Sequence, residues 1–278
     1  MNILAFDTSS SVLSVAVKTG KSKVSEARLT GFFQHAENLL PLIDKLLKKH
    51  KTSISKIDLF LIGRGPGSFT GLRVSFATVK GFLAGNSSSL PLCKGVDGLT
   101  PTAASTSSSL PQCKGEEDKP LSAARTSLSL PSCKGALSLD MIADPIELPE
   151  KSWLGICLDA GRQRLFCRTY KRTSEGWQAK GKIEMLSVEE AAQKLPANAF
   201  ITGDALRRYE TALIQAAPEK KLTPLKEKFW YPSAATLIRW AVDKPEALEP
   251  LESARDFIPR YFRLSEPEEK KKNADLHC

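Results

Sequence analysis

Apolar and polar positions alternate between two rhythms along this chain. Asn2 to Asp7 and Val12 to Val17 are short, β-prone apolar runs, the pattern of buried strands, and the hydroxyl-rich turn Thr8-Ser9-Ser10-Ser11 separates them. Lys23 to Leu29 predicts a third strand at an edge. From about His35 to Lys49 the rhythm becomes helical, with Leu39, Leu40, Leu42, Ile43, Leu46 and Leu47 on one broad side. These residues span roughly 160°, wider than the stripe of about 100° that one buried face requires. Pro41 falls early in that helix, where it bends the helix or marks its first turn. A strand over Ile57 to Ile62 and a helix from Leu72 to Leu83, carried by Leu72, Phe76, Val79 and Leu83, complete the unit.

The same order returns later. Trp153 to Leu158, Arg164 to Tyr170 and Trp177 to Leu186 predict three strands. Ser187-Val188-Glu189-Glu190 has the form of a capping box opening a helix to about Leu195. A short strand, Ala199 to Thr202, and a helix from Ala205 to about Ala216 follow. Two copies of βββαβα predict a duplicated α/β protein with the plan of the ribonuclease-H-like fold, as in the actin, sugar-kinase and heat-shock ATPase class. A helix over Ser233 to Val242 and an extended piece, Phe257 to Leu264, close the chain ahead of a charged tail.

Between the copies, Ser88 to Gly95 recurs as Ser108 to Gly115 and again as Leu128 to Gly135, each ending in Cys-Lys-Gly. These copies are mostly Ser, Thr, Ala and Pro, too polar to stack into a core, so they predict a tandem expansion looped out of the fold. The expected organisation is therefore an N-terminal half at 1–86, an insert at 87–134, a C-terminal half at 135–265 and a tail at 266–278.

One segment carries candidate chemistry. Gly63-Arg64-Gly65-Pro66-Gly67-Ser68-Phe69-Thr70-Gly71-Leu72-Arg73 runs from predicted strand to predicted helix. A helix start offers unpaired N–H groups and partial positive charge to an anion, and Ser68 or Thr70 suits its cap. The segment is neither a P-loop nor a dinucleotide fingerprint, since Thr70 stands where the third glycine belongs. The residues leave two readings open: a phosphate-binding turn, or a tight turn that lets the helix lie close on a sheet. Asp7 at the end of the first strand raises the same pair of readings, a group facing phosphate and Mg²⁺ or a turn satisfied by its own backbone. Asp159 is its expected second-half counterpart.

Composition narrows the class. The chain has 278 residues and a net charge of +9. The cations are scattered in sequence, with a run only at Lys270-Lys271-Lys272, and no aromatic–basic interleaving marks a base-stacking platform. Six cysteines include no Cys-x-x-Cys pair. The absence of a basic, apolar leader and of a membrane-length apolar run predicts a cytoplasmic protein with reduced thiols. His35, His50 and His277 are the only histidines, too far apart for a His-x-x-x-His metal pair on one helix.

Taken together, Ile3 to Ser9, Ser14 to Val17, His35 with Leu40-Pro41, and Gly63 to Arg73 resemble the bacterial TsaB family, also called YeaZ. Gly135 to Asp140, Asp159 to Arg162 and Ile258 to Arg263 resemble that family's later motifs. The resemblance implies a non-catalytic scaffold in the synthesis of threonylcarbamoyladenosine in tRNA. Its implied partners are a TsaD-type subunit, which carries the metal and the transfer chemistry, and a TsaE-type ATPase, with tRNA reached through the complex. A homodimer in the partner's absence is left open. The resemblance implies no required cofactor and no metal, and a degenerate nucleotide site, weak for ATP or ADP and Mg²⁺, at Asp7, Thr8, Ser9, Gly65, Gly67, Ser68 and Asp159. It favours a partner surface at Leu39, Leu42, Ile43, Leu46, Val74, Phe76 and Phe82; by residues alone, deeper burial in a large core fits nearly as well. The alternatives are a stand-alone kinase or ATPase of the same fold, a metallopeptidase-like protein, and a direct tRNA binder.

Overall fold

The structure is a computed structural model that describes residues 1–31, 35–86 and 131–251. Strands β1 (Asn2–Asp7), β2 (Val12–Thr19) and β3 (Ser25–Thr30) form an antiparallel meander. Helix α1 (His35–Lys49) crosses to β4 (Leu59–Gly63), which lies parallel to β1. A parallel neighbour requires such a crossover, because a tight hairpin returns the chain in the opposite direction. Helix α2 (Phe69–Asn86) follows, and β5 (Ser132–Ala136) adds in parallel beyond β4.

After the short helix α3 (Ser138–Ala143) come β6 (Trp153–Gly161), β7 (Arg164–Thr173), β8 (Gly176–Ser187), α4 (Val188–Lys194), β9 (Phe200–Thr202), α5 (Leu206–Ala216) and β10 (Thr223–Pro224). Helix α6 (Ala234–Asp243) and β11 (Glu249–Pro250) end the described chain. The sheets run β11-β5-β4-β1-β2-β3 and β10-β9-β6-β7-β8. Apart from the added β11, the second repeats the strand order of the first. The capping box is present: Glu190 N donates to Ser187 Oγ at 3.1 Å, and Ser187 N donates to Glu190 Oε2 at 2.8 Å.

The duplicated pattern is thus two βββαβα units, each with a fifth strand that the hydrophobic rhythm did not reveal. In the first half that strand lies within the last repeat copy. Ser132-Cys133-Lys134 pairs with β4, and Cys133 is buried in the core, so the insert boundary expected at 134 moves ahead of Ser132. The remainder of the insert, the extended piece from Phe257 and the charged tail lie outside the described residues.

The halves expected from sequence also exchange material in space. One face of the first sheet, with Leu4, Phe6, Val15 and Phe60, is covered by α1 and α2. Its other face, with Ile3, Ala5, Ala16 and Leu61, is covered by Leu237, Ile238 and Trp240 of α6, which comes from the C-terminal half of the chain. The N-terminus of α6 is held there because Ala234 N donates to Ser14 Oγ at 2.8 Å, and Ser14 Oγ in turn donates to Glu26 at 2.7 Å. Helix α3 packs Leu139 and Ile142 against Leu154, Ile156 and Tyr170 of the second sheet. Helices α4 and α5 cover that sheet's outer face around Cys157, Leu165 and Ile201. Helix and sheet layers therefore stack alternately through both halves, and α3 lies between the sheets.

Candidate functional site: the strand-end turns

The site is built where β1 and β4 end beside the start of α2. Asp7 is fully buried. Its Oδ1 accepts from Ser9 N at 2.9 Å and Ser9 Oγ at 2.7 Å, and its Oδ2 accepts from Ser138 Oγ at 2.8 Å. Gly63 lies against Asp7 so closely that a Cβ would overlap the carboxylate. Burial pushes the Asp7 carboxyl above its ordinary range, and the Ser9 and Ser138 donors with nearby His35 oppose that rise. His35 Nε2 bonds the Ser10 carbonyl at 2.7 Å, tying the start of α1 to the same turn.

Thr8 and Ser9 face the glycine-rich segment. Thr8 Oγ1 donates to the Gly71 carbonyl at 2.6 Å and shares a 2.6 Å bond with Ser75 Oγ. Ser68 N donates to the Ser9 carbonyl at 2.6 Å. A Cβ on Gly67 would overlap the Ser9 carbonyl, and one on Gly71 the Thr8 carbonyl. These two glycines let α2 lie directly on the β1–β2 turn. Ser68 caps the helix, accepting from Gly71 N at 3.1 Å, so α2 begins one turn earlier than its apolar rhythm indicates. Gly65 is buried and its carbonyl accepts from Ser138 N at 2.8 Å. Asp7, Thr8, Ser9, Gly65, Gly67 and Ser68 are therefore brought together, and the bonds they make are to protein groups.

Asp159 lies apart from them, in the second half. Gly161 N donates to its Oδ1 at 2.7 Å, and Arg208 approaches its Oδ2 at 3.4 Å. Strand register corrects its pairing with Asp7. Phe6 lies opposite Ile62, which sets Asp7 beside Gly63, whereas Ile156 lies opposite Thr202, which sets Cys157 beside Gly203. Cys157, not Asp159, holds the position equivalent to Asp7, because β6 continues to Gly161, four residues beyond it, whereas β1 ends at Asp7.

Sequence reasoning missed Asp204. It accepts Asp159 N at 2.9 Å. Burial pushes its carboxyl up to about 7; the Asp159 N–H opposes the rise, while the Asp159 and Asp7 charges add to it. The available signal was Gly203-Asp204 directly after the short strand, mirroring Gly63-Arg64 at the end of β4. Ser138 was read only as part of a motif, and its role as an Asp7 donor comes from the fold. Among the described residues, no three His, Cys, Asp or Glu side chains cluster as a metal-binding group.

The expected partner surface needs correction. Leu39, Ile43, Leu46 and Phe76 are buried in the core beneath α1 and α2, and Leu42, Val74 and Phe82 are half-buried against the same cluster. Phe82 stacks on Phe60 with ring centroids 5.7 Å apart. The wide apolar stripe exists because α1 touches α2 as well as the sheet, and those two contacts cover most of it. What stays outside is Leu40, 52% exposed, and Phe69, 37% exposed.

The repeated strand order and the strand-end turns define a duplicated ribonuclease-H-like α/β protein. Its fold matches that of YeaZ from Pseudomonas aeruginosa, with a TM-score of 0.63 and 19% identity over 94% of this chain and 100% of that one. A second Pseudomonas aeruginosa structure, an uncharacterized protein with similarity to peptidase YeaZ, gives 0.64 and 20% over 94% and 99%. In sequence, the chain is 38% identical over 85 residues to the tRNA threonylcarbamoyladenosine biosynthesis protein TsaB of Buchnera aphidicola subsp. Baizongia pistaciae, covering 30% of this chain and 37% of that protein. It is 36% identical over 88 residues to TsaB of Haemophilus influenzae, covering 31% and 36%, and 34% identical over 92 residues to TsaB of Escherichia coli, covering 33% and 38%. The matched stretch thus spans less than two fifths of each of these relatives. Residues 32–104 also match the family model of TsaD, tRNA N6-adenosine threonylcarbamoyltransferase. The likeness in sequence to TsaB proteins is thus partial, and the likeness in fold to YeaZ structures extends over 94% of the chain. Among the described residues, no helix is long and apolar enough to cross a membrane.

Proposed function

We propose that this chain is a non-catalytic subunit of the machinery that makes threonylcarbamoyladenosine in tRNA, and that it pairs with and supports a TsaD-type catalytic subunit. The observation that carries this reading is the likeness to TsaB proteins over 85 to 92 residues, combined with a YeaZ-like fold along nearly the whole chain. The site chemistry agrees. Asp7 occupies a position suited to a metal-assisted phosphate reaction, but its oxygens are taken up by Ser9 and Ser138. Gly67 and Gly71 of the adjacent segment serve close backbone contact. On this reading any nucleotide is bound weakly, no cofactor is required, and a TsaE-type ATPase joins through the complex.

The test is co-purification with the TsaD-type protein of the same cell. Wild-type chain is expected to bring it down in stoichiometric amount. Leu40→Asp and Phe69→Asp, changed where the α1–α2 layer keeps exposed apolar area, are expected to weaken that pairing at least tenfold while leaving the fold intact. A wild-type chain that ignores the TsaD-type protein, or that transfers threonylcarbamoyl unaided, overturns the proposal.

A further inference from the structure

The end of the first sheet away from Asp7 gathers charge that is scattered in sequence. Lys18 comes from the end of β2, and Lys21 and Lys23 from the β2–β3 connection. Lys45, Lys48, Lys49 and Lys51 come from the end of α1 and the residues after it, and Lys56 precedes β4. Short bonds hold these segments together. Thr19 Oγ1 lies 3.3 Å from His50 Nδ1, which joins the β2–β3 turn to the end of α1. Asn2 Nδ2 donates to the Lys56 carbonyl at 2.8 Å, and Gly20 N donates to Asn2 Oδ1 at 3.2 Å.

The acidic groups on these segments are Asp44, paired with Lys48 at 2.7 Å, and Asp58, which lies 4.0 Å from the N-terminal amine. Eight lysines against two aspartates leave a surplus of six, two thirds of the net +9 of the chain. All of these lysines except the half-buried Lys18 are exposed. Lysines at the end of α1 also complement the helix dipole, but that accounts for the last turn alone and not for the β2–β3 turn or Lys56.

We propose that this lysine-rich end is a contact surface for an RNA backbone. The inference rests on the functional reading above, which supplies an RNA as substrate of the complex. The chemistry of the surface selects the backbone rather than the bases. Lysine acts as a point charge on phosphate oxygens, and no phenylalanine, tryptophan or tyrosine lies in the lysine-bearing segments 18–23 and 45–58 to stack a base. The surface binds by neutralising phosphates and releasing counterions, with little sequence preference.

The test is the salt dependence of binding between the purified full chain and unfractionated tRNA. Wild type is expected to bind with log K falling linearly against log salt. The quadruple variant Lys21→Gln, Lys23→Gln, Lys49→Gln, Lys51→Gln is expected to lower that slope by about 3, since each phosphate contact contributes about 0.7 to 0.9. The control quadruple Lys151→Gln, Lys171→Gln, Lys180→Gln, Lys182→Gln removes equal charge from the second half and is expected to leave the slope unchanged. Seven of the eight positions are exposed lysines and Lys171 is half-buried over the Trp153 ring, so unchanged thermal midpoints are required to confirm that both variants fold. Equal loss in the two variants, no tRNA binding by the wild type, or equal affinity for poly-glutamic acid in competition at the same salt overturns the inference. Pairing with the TsaD-type protein is read separately and is expected to survive the lysine changes, so a failed RNA surface and a failed scaffold reading give different results.

Discussion

The two halves of this protein share a strand order but treat the end of their first strand differently. In the first half an aspartate is sealed there: Asp7 lies fully buried against Gly63 and accepts from Ser9 and Ser138. In the second half the equivalent position is Cys157, and the carboxylates Asp159 and Asp204 sit beyond it, with Arg208 beside Asp159. One turn has become an internal clasp joining β1, α2 and α3. The other keeps a carboxylate whose charge is opposed by burial. Duplication conserved the hydrogen-bonded frame, which packing enforces, and let the side chains at its open ends diverge.

The largest effect is expected from tightening the first clasp. Gly71→Ala sets a methyl into the Thr8 carbonyl, where backbone rather than a flexible side chain must yield. A loss of about 3 kcal/mol is expected, read from chemical denaturation. Little change would show that α2 does not depend on its close seat against the turn.

Asp7→Ala is expected to cost about 2 kcal/mol, because Ser9 and Ser138 lose a buried acceptor. Asp159→Ala, in the more open half, is expected to cost well under half as much in the same measurement. Equal losses would erase the contrast between the halves.

Asp204 sharpens the contrast through pH. Its folded value of about 7 lies above the ordinary carboxyl value of 3.8, so between these the folded chain holds a proton that the unfolded chain has released. Stability from this group therefore falls as pH rises from about 4 to 7. Asp204→Asn keeps an acceptor for Asp159 N and is expected to flatten that decline, exceeding wild type in stability at pH 8. A variant that tracks the wild-type pH profile would place the burden on another group.

The smallest effect separates core from surface on one helix. Leu40→Asp is expected to change stability by less than about 0.5 kcal/mol. Leu39→Met, one residue earlier and fully buried, is expected to cost about 1 kcal/mol.

Most of the architecture was legible in the residues. The rhythms of α1, α4 and α5 were clear because each buries one face against a partner layer, the apolar runs of β1, β2 and β4 because helices cover both faces of their sheet, and Ser187 with Glu190 announced its own cap. β5 was hidden because Ser132-Cys133-Lys134-Gly135-Ala136 is weakly apolar and repeats a polar motif; its place in the sheet is set by pairing with β4. The candidate site was half legible. Local turn chemistry pointed to Asp7, Ser9 and Ser68, whereas the Ser138 contact spans 131 positions in the chain.

Short-range order thus follows from the alternation of apolar and polar residues, since strand and helix periods are local properties of the backbone. The fate of each surplus does not. Whether Leu39 and Phe76 face a partner or the protein's own sheet, and whether scattered lysines form one charged end, depends on which distant segments meet. Burial and Coulomb fields sum over neighbours in space, and those neighbours are chosen by the folded chain.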